Sequence, residues 1–171
     1  MIMAGLYIHI PFCAKKCAYC DFISFAGGEE EEEYINAVIK EMNVERPQNI
    51  ETVFIGGGTP SYISSGGIIR LLDAANERFY IQKDAEITIE ANPSSLSAEK
   101  LEAYKAAGIN RLSIGLQSAM ERELKMLGRL HDFNCFERVY NEAREKFDNI
   151  NIDLISCLLY TSDAADDLTR V

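Results

Sequence analysis

Leu6-Tyr7-Ile8-His9-Ile10-Pro11-Phe12-Cys13-Ala14-Lys15-Lys16-Cys17-Ala18-Tyr19-Cys20 decides how the rest of this chain is read. Its first half is a strand-like apolar run. Its second half carries three thiols at Cys-x3-Cys-x2-Cys spacing, packed into eight residues. Three thiolates so close on one loop can converge on a single metal centre. Because there are three and not four, an iron–sulfur cube held there keeps one iron free of protein ligands, open to an exchangeable guest. A zinc site closes with four Cys or His ligands, and here the fourth would have to be His9, Asp21 or a distant residue. An odd count in so short a loop is at odds with disulfides. The thiols read as an open-cornered cluster.

Outward from that loop, short apolar strands alternate with amphipathic helices. Leu6 to Ile10 is the first strand. Tyr34, Ile35, Ala37, Val38, Ile39 and Met42 recur near the helical period behind the run Glu29 to Glu33, which reads as a solvated helix start suited to the dipole. Thr52-Val53-Phe54-Ile55 is the second strand and runs into Gly56-Gly57-Gly58-Thr59-Pro60-Ser61. A helix follows from about Ser64 to Phe79. Glu86 to Ala91 alternates as a third strand, and Ser97 caps a helix that Gly108 ends. Arg111 to Leu116 is the fourth strand, a kinked helical region with Asp132 as an internal cap spans Ala119 to Phe147, and Asn149 to Ile155 is the fifth. The pattern predicts a parallel α/β sheet of βα units, closed as a barrel or open. In either form the loops at the carboxyl ends of the strands make the site. Residues 13–20, 56–61, 90–93, Gln117 and Asp153 all fall there, so they are expected to face one cavity.

Taken singly, these groups stay open between chemistry and structure. Three glycines after a strand let backbone N–H groups approach a ligand, or simply make a tight turn; no P-loop or dinucleotide-binding spacing accompanies them. Glu90 can accept bonds from hydroxyls or an ammonium, or be a surface acid. Gln117, Arg129 and Asp153 suit a polar ligand without requiring one. His9 reads as a packed, hydrogen-bonded imidazole, His131 as local structure beside Asp132, and Cys135 as a core thiol in the stripe with Phe136 and Val139.

Composition bounds the class. The 171 residues are 47% hydrophobic, enough for one sizeable core. With 27 acidic against 17 basic residues the net charge is −10, and no Lys/Arg stripe appears, which argues against nucleic-acid or anionic-membrane binding. Met1 to Gly5 lacks a signal-peptide pattern, and no run of about eighteen apolar residues spans a bilayer. Free thiols then fit a reducing, cytoplasmic compartment.

Several stretches together resemble one family. Tyr7-Ile8-His9-Ile10-Pro11-Phe12-Cys13, Cys17-Ala18-Tyr19-Cys20, Phe54 to Ser61, Glu90-Ala91-Asn92-Pro93, Arg111 to Ser118 and Leu127-Gly128-Arg129 resemble the radical S-adenosylmethionine (SAM) family of oxygen-independent coproporphyrinogen III oxidase and its HemW-type heme-chaperone relatives. The likeness covers residues 4 to about 156. It implies a partial TIM-like (β/α) barrel, truncated after about five βα units, with a [4Fe–4S] cluster on Cys13, Cys17 and Cys20. SAM would chelate the open iron, with Tyr7, Gly57 and Glu90 at positions contacting it. A second SAM position in the oxidase matches Tyr19, Gly58, Thr59, Gln117, Arg129 and Asp153. Electron transfer from the cluster, fed by a donor such as flavodoxin or ferredoxin, would split SAM into methionine and a 5′-deoxyadenosyl radical.

Two departures from the family pattern carry expectations. The oxidase has a further cysteine two residues after the third ligand, where this chain has Asp21-Phe22. That favours the chaperone branch, which binds heme and delivers it to an acceptor protein, over oxidation of coproporphyrinogen. After Asp153-Leu154-Ile155 the family continues towards Gly-Leu-Pro, whereas here Ser156-Cys157-Leu158-Leu159-Tyr160 leads into a stretch resembling translated adapter sequence. Residues 1–156 are therefore expected to be the N-terminal part of a radical SAM core. Residues 157–171 are expected to be a non-native tail, with Cys157 no ligand, an unpaired strand edge exposed and the C-terminal substrate region absent.

Overall fold

The computed structural model describes residues 4–156, so the expectations for 157–171 and Cys157 lie outside the described residues. The elements in chain order are β1 (Ala4–Ile10), β2 (Phe12–Cys13), β3 (Phe25–Ala26), α1 (Glu31–Val44), β4 (Asn49–Gly57), α2 (Ser65–Arg78), β5 (Tyr80–Ala91), α3 (Ala98–Ala106), β6 (Arg111–Gln117), α4 (Glu121–Met126), α5 (Phe133–Arg144) and β7 (Asn149–Leu154). Five strands form one parallel sheet in the order β1-β4-β5-β6-β7. Each connection advances in the same direction. Right-handed crossovers that never reverse put every helix on one face, which is the winding of a barrel and not of a doubly wound sheet. Periodicity left that choice open; the strand order makes it a partial (β/α) barrel.

The two faces of the sheet differ accordingly. Ile8, Ile10, Val53, Ile55, Ile89, Leu112 and Ile114 are buried on the helix side, in one cluster with Ile35, Ile68, Leu71, Leu72, Leu101, Phe136 and Val139. Each such side chain contributes about 1.5–3 kcal/mol by leaving water. The alternate positions run side by side across the other face: Tyr7 beside Phe54, His9 beside Gly56, Phe54 beside Thr88, Glu90 beside Ser113, Ser113 beside Asn151 and Gly115 beside Asp153. That concave face is polar, and it is where a ligand can be held.

Several elements differ from the sequence expectation. β5 begins at Tyr80, six residues before Glu86, because Tyr80 and Ile81 pair with Asn49 and Ile50 before the register shifts. Polar Gln82, Lys83 and Asp84 hide that stretch from any alternation rule. The kinked helical region is two helices: Gly128, with φ of 74°, supplies the left-handed residue that ends α4, and Asp132 Oδ1 accepts the Cys135 N–H at 2.7 Å to start α5. The acidic start of α1 is not merely solvated. Glu31 accepts from the Ser64 N–H at 3.2 Å and from its hydroxyl at 2.5 Å, and Glu32 pairs with Arg70 at 2.7 Å, so the run fastens α1 to the start of α2. Cys135 is half-exposed beside the core, because the helix turns it towards the loop before α5.

No helix among the described residues is long and apolar enough to cross a membrane.

Candidate functional site

The cysteine loop is pinned at its neck by backbone bonds, as Phe25 N donates to Pro11 O at 2.7 Å and Gly27 N to Cys13 O at 3.0 Å. These close the short pair of β2 and β3, which alternation in the sequence did not reveal because each is two residues long. Beyond the end of β4, Gly58 N donates to Ile10 O at 2.8 Å and Thr59 N to Phe12 O at 2.8 Å, carrying the β1–β4 ladder up to Cys13. On the far side, Ala18 N donates to Leu127 O at 3.3 Å, tying the loop to the end of α4.

The three thiols open into one cavity of about 380 Å³ at the carboxyl ends of the strands. Tyr19, Gly57, Gly58, Thr59, Glu90, Gln117, Arg129 and Asp153 line the same cavity, so four strand ends and the loop converge as the spacing predicted. Tyr7 is the exception. Its ring stacks on Phe54 with centroids 6.1 Å apart and its hydroxyl bonds to His9 Nδ1 at 3.1 Å, lower on the concave face and outside the cavity wall. His9 is the packed imidazole expected, with Nε2 2.9 Å from Ile23 O.

Thiol surroundings are specific. Cys13 is buried and takes a hydrogen bond from the Thr59 hydroxyl at 3.4 Å; Cys17 Sγ lies 3.8 Å from Arg129 Nη1. Arg129 Nη2 donates to Gly115 O at 2.7 Å, while its buried Nε has no partner among the described residues. All four described cysteines are free of disulfides. Among the described residues no three His, Cys, Asp or Glu side chains crowd one point as a single bound ion requires. A cube does not ask for that, since each thiolate takes its own iron, and three thiols around one mouth fit it.

Below the loop the wall is acidic. Glu90 Oε2 accepts the Gly57 N–H at 2.9 Å. Burial raises its pKa above the usual carboxylate range, the Gly57 bond opposes this, and Asp153 adds to it. Asp153 accepts from Ser113 at 3.0 Å and from Asn151 at 2.7 Å. Those two partners were not singled out from the sequence, although Ser113 is a polar residue inside an otherwise apolar strand. Gln117, at φ of 68°, centres a γ-turn closed by Ser118 N donating to Leu116 O at 2.9 Å. This strained form is rare for a non-glycine residue, and strain of this kind gathers at ligand sites.

His131 sits behind this wall, buried, with Nε2 3.3 Å from Leu116 O and Nδ1 unpartnered. Burial first and the Arg129 charge second bring its pKa down to about 4. A depressed histidine stabilises the fold fully above its unfolded pKa of roughly 6.5, and that contribution is lost as pH falls towards 4. The unfolding free energy from urea titration is expected to fall by about 2 kcal/mol between pH 7 and pH 5, and His131→Phe is expected to flatten that drop. An equally steep drop in the variant would assign the effect elsewhere.

The site and fold define a cluster-binding radical SAM protein, and the chain belongs to the Radical SAM superfamily, whose family model matches residues 7–169. It is 44% identical over 133 residues to heme chaperone HemW of Escherichia coli, covering 74% of this chain and 35% of that protein. It is 41% identical over 158 residues to the mouse protein described as radical S-adenosyl methionine domain-containing protein 1, mitochondrial, covering 89% and 36%. Among solved structures, coproporphyrinogen III oxidase (HemN) of E. coli matches with a TM-score of 0.83 at 30% identity, over 97% of this chain and 42% of that one. The chain thus spans well under half the length of these relatives. Membership of the family implies SAM and a [4Fe–4S] cluster.

Proposed function

We propose that this chain is the cluster- and SAM-holding part of a radical SAM protein of heme metabolism whose task is to bind heme and pass it to an acceptor protein. The observation that carries the reading is the gathering of Cys13, Cys17 and Cys20 over the Gly57–Glu90 contact in one cavity. The three thiolates would hold the cluster. Cluster and SAM together supply one-electron chemistry that no side chain of this set provides.

The protein's own share is placement. Gly57 and Gly58 keep the turn free of side chains: a Cβ on Gly58 would stand 3.0 Å from Cys13 Sγ and 2.9 Å from Phe12 O. The Glu90 and Asp153 carboxylates suit the ammonium and sulfonium charges of SAM. Thr59 and Arg129 donate towards the thiolates, and Gln117 offers its amide to the same space. Tyr19, partly exposed, stands at the rim beside Arg129. Tyr7, at the position the family pattern matches to a SAM contact, is exposed on the same face and bonded to His9. A reductant of the flavodoxin or ferredoxin kind and a cytoplasmic setting complete the proposal.

Asp21-Phe22 in the ligand loop and the HemW relatives favour heme transfer. The match to coproporphyrinogen III oxidase favours the second reading, an oxygen-independent oxidase that makes protoporphyrinogen IX. Anaerobic reconstitution of the full-length protein followed by heme titration, beside an assay with coproporphyrinogen III, separates them. Stoichiometric heme binding without protoporphyrinogen formation is expected; turnover of coproporphyrinogen would overturn the chaperone reading.

A further inference from the structure

We infer that Ser61, Ser95 and Lys100 form a positioning unit that holds the glycine turn after β4 in its ligand-ready geometry; this rests on the reading that the turn receives SAM. Three consecutive glycines at 56–58 have no side chains to stiffen them; backbone bonds to Ile10 O and Phe12 O hold the turn on the β1 side, and restraint on the β5 side has to come from side chains around it. Ser61, three residues past Gly58, is fully buried. Its hydroxyl accepts the Asn92 N–H at 2.9 Å and lies 2.6 Å from the Ser95 hydroxyl, which donates to Asn92 O at 3.0 Å. One proton order satisfies every contact. Ser95 gives its proton to Asn92 O, so it must accept from Ser61, and the chain closes as Asn92 N–H to Ser61 to Ser95 to Asn92 O. Every donor in the ring is used once.

The ring joins the turn after β4 to the turn after β5, two residues beyond Glu90. The Gly57 N–H to Glu90 contact at 2.9 Å is the only other side-chain link between the two turns among the described residues. Two attachment points define an orientation where one permits a swing. From outside, the Lys100 ammonium donates to Ser61 O at 2.5 Å and Ile63 O at 3.0 Å, clamping the same segment to α3. Lys100 is itself set by the α3 cap, where its N–H donates to Ser97 Oγ at 3.3 Å.

The test uses Ser61→Ala, Ser95→Ala and Ser95→Thr in the whole chain. In cofactor-free protein, amide exchange at residues 57–59 is expected to quicken about tenfold or more in both alanine variants, as each removes two hydrogen bonds of the ring. In cluster-loaded protein, the Kd for SAM, read from its effect on the cluster's EPR signal, is expected to rise about tenfold while iron content holds. Ser95→Thr, which keeps the hydroxyl, restores both. A lowered Tm with unchanged exchange at 57–59 and unchanged Kd would overturn the inference and leave a purely structural ring. Should Ser61→Ala fail to fold, the less buried Ser95 pair decides alone. If wild-type cluster ignores SAM, the site reading falls, whereas the exchange data still judge the ring.

Discussion

Alanine at Cys17 is expected to abolish cluster binding in anaerobically reconstituted protein, not merely weaken it. The cube would have three protein ligands on one short loop, and removing one leaves two thiols that no neighbouring donor replaces. Cys135 is not among the residues lining the thiol cavity; it lines an adjoining one with His131 and Asp132. The fold should survive the change. Cys17 is half-exposed, and the neck bonds at Phe25 and Gly27 hold the loop without it. Stability of the cluster-free protein is therefore expected to move by about 0.5 kcal/mol or less, the usual range for a surface site. Iron and sulfide analysis beside the visible spectrum makes the measurement, with Cys135→Ala as the control that keeps its iron. Wild-type iron in Cys17→Ala would remove the basis of the whole reading.

Gly57→Ala is expected to be the most damaging single substitution outside the thiols. Gly57 has φ of 119°, where an L side chain is strained by about 1–3 kcal/mol. A Cβ there would also lie 2.6 Å from the His9 ring. That ring cannot retreat without breaking its bonds to Ile23 O at 2.9 Å and Tyr7 at 3.1 Å. Strain and overpacking together should lower stability by about 3 kcal/mol or more. Gly108→Ala isolates the first part, because Gly108 has φ of 91° with nothing within 4 Å of its Cβ position. Unfolding free energies from urea titrations of the two variants are expected to differ by about 1–3 kcal/mol, the cost of the clash. Equal losses would mean that backbone strain alone is at work and that the turn does not pack on His9.

Much of the site was readable before any coordinates because parallel βα architecture gathers strand ends at one place. The thiol loop, the glycine turn, Glu90, Gln117 and Asp153 reach the cavity for that reason, while Arg129 reaches it from the turn after α4. What escaped were features with no period. β2 and β3 are two residues each, the start of β5 is polar, and Ser61, Ser113 and Asn151 act through partners distant in sequence. Tyr7 lies on the expected strand and face, below the residues that line the cavity.

Local chemistry alone determined the main strand and helix succession and the thiol spacing on which the proposed cluster site rests, since alternation and spacing depend only on near neighbours. Whether the sheet winds one way or reverses, which polar face it leaves open, and how buried serines lock one turn to the next were settled by tertiary packing. Those choices are made by contacts between residues tens of positions apart, such as Gly57 with Glu90, and no short-range pattern carries them.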